Sequence, residues 1–178
     1  MPFSSAQPMW IRVGLAALVA LPAHAADPMP AARTCGAPEY RQFDFWIGSW
    51  DVYEPGGKLA GRNDIESIFG GCALLENWAG GGGFTGKSLN TWDSGRRRWH
   101  QTWTDSAGNL LLLDGGLEGD RMVLGSEAPD AAGVPGAVRQ RIAWSRQADG
   151  SVRQLWESST DGGKTWSVVF DGRYVRRR

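Results

Sequence analysis

Glu76, Glu157 and His100 are the residues with which this chain could most simply do chemistry. Two carboxyl groups flanking a bound sugar, about 5 to 9 Å apart, make the acid/base pair of a glycosidase. A histidine becomes a base only where convergent partners orient it. A nucleophilic hydrolase adds a Ser or Cys and an orienting acid. The sequence holds no Gly-x-Ser-x-Gly elbow, and its other histidine, His24, lies in the N-terminal segment that reads as a signal. Cys35 and Cys72 are the two cysteines. An even count in an exported chain reads as one disulfide. A zinc site is the rival use, but zinc takes four Cys, His or carboxylate ligands, and no cluster of that kind is visible. The residues assign no catalytic group, no metal and no cofactor, and they favour a binder over a catalyst.

Binding chemistry is better supplied. Nine of the ten tryptophans follow the leader, and large aromatics share strand faces with carboxylates and amides. With side chains alternating along a strand, Trp99, Gln101, Trp103 and Asp105 fall on one face of 97–105, opposite Arg98, His100, Thr102 and Thr104. Leu74, Glu76 and Trp78 oppose Ala73, Leu75 and Asn77. Val152, Gln154, Trp156 and Ser158 oppose Arg153, Leu155 and Glu157. An aromatic face with a few convergent polar groups is the lining of a ligand cavity. The expected binding face is Glu76, Trp78, Asn90, Gln101, Trp103, Arg141, Gln154 and Trp156, with Arg141 as counter-charge to Glu76. The plainer alternative is a core in which indole N–H groups recruit Glu and Gln as acceptors. One β-bulge would also turn His100 and Glu157 inward instead.

Those faces need strands to carry them. β-branched and aromatic runs recur every ten or so residues, which predicts ten strands over 44–53, 61–69, 72–79, 85–92, 97–105, 109–117, 121–127, 138–146, 151–159 and 164–176. Turn-forming Gly, Asp and Asn separate them. Residues 128–137 form the longest irregular loop, and no segment repeats at a fixed period, which leaves a propeller without support. The fold class is therefore all-β, an antiparallel up-and-down arrangement. Ten strands must deal with their edges, and closure into a barrel removes them while leaving room for one small ligand. A two-sheet sandwich is the alternative.

The first 25 residues read as a cleavable signal peptide. Arg12 precedes the apolar run Val13–Leu21, and Ala23-His24-Ala25 supplies small residues at the cleavage positions. That run is too short to span a bilayer, which takes roughly 20 apolar residues. Cleavage after Ala25 leaves an Ala/Pro-rich leader, 26–38, a single domain, 39–178, and no membrane span. The expected location is periplasmic or secreted. Lys and Arg together number 19, as do Asp and Glu, and a neutral chain offers nothing to a phosphate backbone. The partner expected is a small molecule rather than nucleic acid, and the assembly a monomer or weak dimer.

Gly48-Ser49-Trp50, within Phe43 to Val52, resembles the Gly-x-Trp that opens lipocalin and calycin barrels, where the Trp packs at the closed base. Gly71 to Trp78, Ser88-Leu89-Asn90 and Arg98 to Trp103 extend the likeness. Together they resemble an uncharacterised family of exported, lipocalin-like bacterial proteins of unknown function, over about Cys35 to Arg176. The resemblance implies a calycin-type barrel and no established reaction. Nitrobindin-like haem barrels are more distant, and the closing segment Phe170 to Arg176 has no histidine to serve as axial ligand. Ser159 to Trp166 is similar to the Asp-box of sialidase propellers, which implies a tight hairpin capped by Asp161.

Three functions follow as expectations: a barrel that binds a small, partly apolar molecule; a small-substrate enzyme using Glu76 with Glu157, or His100; and an envelope interaction module that presents its loops to another protein.

Overall fold

Apolar and polar residues alternate along most of the chain, and the strands follow that rhythm. In a computed structural model, residues 35–126 and 138–177 are described; the segment expected as a signal peptide, most of the expected 26–38 leader and the whole of the 128–137 loop lie outside them. Ten antiparallel strands close into one barrel: β1 (Gly48–Tyr53), β2 (Leu59–Ile68), β3 (Ala73–Gly80), β4 (Thr85–Asp93), β5 (Arg98–Asp105), β6 (Leu110–Glu118), β7 (Arg121–Gly125), β8 (Arg139–Arg146), β9 (Val152–Ser159) and β10 (Ser167–Arg176). Each strand pairs with its neighbour in sequence, and β10 returns to β1 through Val52↔Tyr174. Closure excludes the sandwich. Among the described residues no helix is long and apolar enough to cross a membrane.

Two strand starts differ from expectation by three residues or more, and the others by at most two. Residues 44–46 make a single 3₁₀ turn rather than the beginning of β1. Phe43 and Trp46 stand three apart, and one helical turn carries both to the same side, where each is fully buried; an extended chain would have sent them to opposite faces. At the other end β10 begins at Ser167, because 160–166 form the hairpin tip. There Asp161 Oδ1 accepts the backbone N–H groups of Lys164 and Thr165, both at 2.9 Å. Gly163 adopts φ +93°, and Trp166 Nε1 donates to the Gly163 carbonyl at 3.1 Å.

The alternation of turns gives the barrel two unlike ends. The chain enters across one of them, the base, through a 3₁₀ turn at Pro38–Arg41 and a second at Asp44–Trp46. Phe43 stacks on Trp46 at 4.9 Å and meets Trp144 at 5.1 Å and Trp99 at 5.7 Å. Trp50 donates its Nε1–H to the Trp46 carbonyl at 2.9 Å, and the Arg176 guanidinium covers the Trp50 ring at 4.4 Å. The Cys35–Cys72 disulfide ties this entering segment to the β2–β3 turn, and Arg41 donates to the Gly71 carbonyl in the same turn.

Candidate functional site

Among the described residues the opposite end is open. A cavity of about 400 Å³ enters the barrel there. Trp78 from β3, Trp103 from β5, Trp156 from β9 and Phe170 from β10 form its walls, with Leu111 and Ile142 between them. Glycines on neighbouring positions let the rings lie along the sheet instead of filling the lumen. A Cβ at Gly86 would overlap the Trp103 indole, and one at Gly172 would stand 2.5 Å from the Phe170 ring. Neither position tolerates a side chain while its ring stays against the wall.

Beneath these rings the lumen is polar. Asn63 Nδ2 donates to Glu76 Oε1 at 2.6 Å, and Ser88 Oγ donates to Glu76 Oε2 at 2.6 Å. Asn90 Nδ2 donates to Ser88 Oγ at 2.8 Å, and Gln101 Nε2 to Asn90 Oδ1 at 2.7 Å. On the other side Tyr174 donates its O–H to Gln154 Oε1 and accepts from Asn63 Nδ2 at 3.4 Å. One hydrogen-bonded chain thus runs from Gln154 through Tyr174, Asn63, Glu76, Ser88 and Asn90 to Gln101, and all seven residues are buried. Both terminal amides, Gln101 and Gln154, line the cavity, as does Glu76.

Burial dominates the electrostatics of Glu76. Loss of water around the carboxylate pushes its pKa up to about 7, against the pull of the bonds from Ser88 and Asn63. Burial likewise raises Tyr174 well above the usual phenol, with the Glu76 charge adding to the shift. At the rim Asp105 moves the other way. Desolvation opposes the change, but bonds from Asn109, the Ala107 backbone and Trp103 leave its carboxyl below the ordinary value.

Of the residues expected on the binding face, Glu76, Trp78, Gln101, Trp103, Gln154 and Trp156 line the cavity. Asn90 is fully buried in the polar chain. Arg141 is a correction, because it lies on the outer surface. Ile142 and Trp144 take the inward phase of β8 and are buried, which turns Arg141 out, where it pairs with Glu157 at 2.7 Å and covers the Trp166 ring at 4.2 Å. Among the described residues Glu76 therefore has no arginine partner in the lumen. Gln140 shares the phase of Ile142 and Trp144, and its Oε1 accepts from Trp156 Nε1 at 2.6 Å.

The same geometry separates the candidate catalytic groups. Glu76 points into the lumen and Glu157 to the outer surface, so the two do not flank one substrate. His100 also faces outward, between Asp114 Oδ1 at 3.0 Å and Thr102 Oγ1 at 2.9 Å. Among the described residues no group of three or more His, Cys, Asp or Glu is arranged to hold a metal. Asn63, Ser88 and Tyr174 are the members of the polar chain that the reading of the sequence missed. Ser88 was accessible from it, two residues from Asn90 and hence on its face. Asn63 and Tyr174 come from strands in which no polar-aromatic pair fixed the inward phase. The chain matches no protein-family model, and a search of curated proteins returns no match.

Proposed function

We propose that this protein is an exported calycin-type barrel that binds a small, partly apolar molecule in the cavity at its open end. One observation carries the reading. The lumen keeps about 400 Å³ free behind aromatic walls at one end, while aromatic side chains close the other. Ligand pockets fall in the range of roughly 300–1,000 Å³ and combine apolar walls with a few placed polar groups. The apolar part of a ligand would lie against Trp78, Trp103, Trp156 and Phe170. Gln101, Gln154 and Glu76 would meet its polar part at the floor. The leader pattern and the disulfide support export, and sequencing the N-terminus of periplasmic protein tests it: Ala26 is the expected first residue, and an intact Met1 there would refute processing.

Intrinsic tryptophan fluorescence tests the binding face, because Trp78, Trp103 and Trp156 form the cavity walls and the buried Trp144 of the base reaches the lining. Titration with a panel of small amphiphiles is expected to perturb the emission saturably. Glu76→Gln and Trp103→Phe should each change affinity. Binding that neither substitution alters would place the ligand elsewhere, and a panel with no binder would move the reading toward a protein-interaction module.

A further inference from the structure

We infer that the ligand of this cavity is an organic cation, a protonated or quaternary amine carried on an apolar body. The inference rests on the proposal that the cavity binds a small molecule, and it names the chemical class. Its first support is charge. Glu54, Glu76 and Asp105 line the cavity, and among the described residues no Lys, Arg or His does. Water-excluded walls focus the field of such one-signed groups into the lumen. The second support is the geometry around Glu76. Asn63 and Ser88 each give one hydrogen bond to a different carboxylate oxygen, and each oxygen keeps capacity for another donor. Behind the lining Asn63 Oδ1 is also buried and unpartnered. The floor therefore keeps acceptor capacity at Glu76, and among the described residues its carboxylate has no cationic partner, since Arg141 is committed to Glu157 outside. A buried carboxylate is stable as an anion only when paired, and a bound ammonium group supplies the pair. The third support is the wall. Indole faces attract cations through their quadrupole, most strongly where water is excluded, and Trp78, Trp103 and Trp156 surround the floor.

Three probes of nearly equal size separate charge from shape: benzyltrimethylammonium, neopentylbenzene as its neutral isostere, and phenylmethanesulfonate as the anion. The full-length processed protein is titrated with each by tryptophan fluorescence and calorimetry. The ammonium probe is expected to bind at least about tenfold more tightly than the neutral isostere, and the sulfonate more weakly than both. In Glu76→Gln, with its fold checked by circular dichroism, most of that preference should disappear. If that variant does not fold, pH provides the second measurement on the wild type. Glu76 is the lining group that changes charge near neutrality, since Asp105 ionises at lower pH and Tyr174 at much higher pH; Glu54 stands at the rim. Affinity for the ammonium probe should rise by about tenfold or more from pH 5 to pH 8, and affinity for neopentylbenzene should stay flat. Equal affinity for cation and isostere, tighter binding of the sulfonate, or a flat pH profile for the ammonium overturns the assignment while leaving the cavity as a binding site. Failure of all three probes overturns it together with the binding reading.

Discussion

The two ends of this barrel use the same residue type for opposite purposes. At the base Trp46, Trp50, Trp99 and Trp144 are at most 1% exposed; Phe43 meets Trp46, Trp99 and Trp144, and Trp50 bonds to the Trp46 carbonyl. At the mouth Trp78, Trp103 and Trp156 are only partly buried and line open space. The difference lies in what stands next to each ring. The base rings face a plug delivered by a separate segment, 35–47, held by the disulfide. Among the described residues no segment plugs the mouth rings, and at Gly86 and Gly172 the missing side chains let Trp103 and Phe170 settle against the wall. Composition alone does not distinguish a sealing tryptophan from a binding one; the distinction comes from the neighbour.

If that division is right, truncating the plug should cost far more than truncating a wall. Trp46→Ala leaves a cavity where a fully buried indole stood and is expected to destabilise by about 3–5 kcal/mol. Trp103→Ala, at a partly exposed position, should cost clearly less by urea denaturation. Equal losses would erase the contrast between the ends. Cutting the plug's tether comes next. The two cysteines are separated by 37 residues, and the chain-entropy relation gives a loss of about 3–4 kcal/mol for Cys35→Ser with Cys72→Ser. Thiol labelling of the unreduced, denatured wild type should find no reactive cysteine, and two reactive thiols would refute the bond.

Much of the mouth is legible in the sequence because alternation is strict there. Glu76 and Trp78 stand two apart on β3, Gln101 and Trp103 on β5, Gln154 and Trp156 on β9, and a shared face in each strand follows from the two-residue period. The number of strands was readable for the same reason, since turn residues punctuate nearly every break. The base was not readable as a plug. Phe43 to Trp46 alternates like a strand, and only the presence of a barrel end to be filled selects a helical turn. Arg141 failed differently. Its placement followed from Glu76 needing a counter-charge, whereas β8 takes its phase from Ile142 and Trp144, whose apolar burial outweighs one charge pairing.

Glu76 offers a sharper probe of the mouth, because its titration reports how dry the floor is. Its folded pKa, about 7, lies above the ordinary value of 4.5. The folded state therefore binds more protons than the unfolded chain between those values. The associated stability is complete below about pH 4.5 and is lost as pH rises through 7. The span corresponds to a loss on the order of 3 kcal/mol. Thermal unfolding of the wild type should fall between pH 5 and pH 8, and Glu76→Gln should flatten that slope. Trp46→Ala removes no titratable group, so it should lower stability while keeping the slope. A wild-type profile that is level across this range would mean that water reaches the floor and that the two ends are less different than their packing implies.

The smallest expected effect bears most directly on what keeps the mouth open. Gly86→Ala adds one methyl group where the Trp103 ring now lies. The backbone there belongs to a strand paired on both sides, Gly86 with Trp78 and with Asp105, so the indole must move instead. Displacing a ring from a packed wall costs about 1–3 kcal/mol, and the space it moves into is the cavity. Melting should shift modestly, and a ligand that binds the wild type should bind more weakly. Trp103→Phe in the same chain shrinks the displaced ring and should restore part of the stability. The matching experiment at the base is the control: adding a methyl at Gly36, where nothing lies within 4 Å of an added Cβ, should leave both stability and binding unchanged. A Gly86→Ala protein with wild-type affinity would show that the indole's seat is not what holds the lumen open, and would return Trp103 to the role of an ordinary core residue.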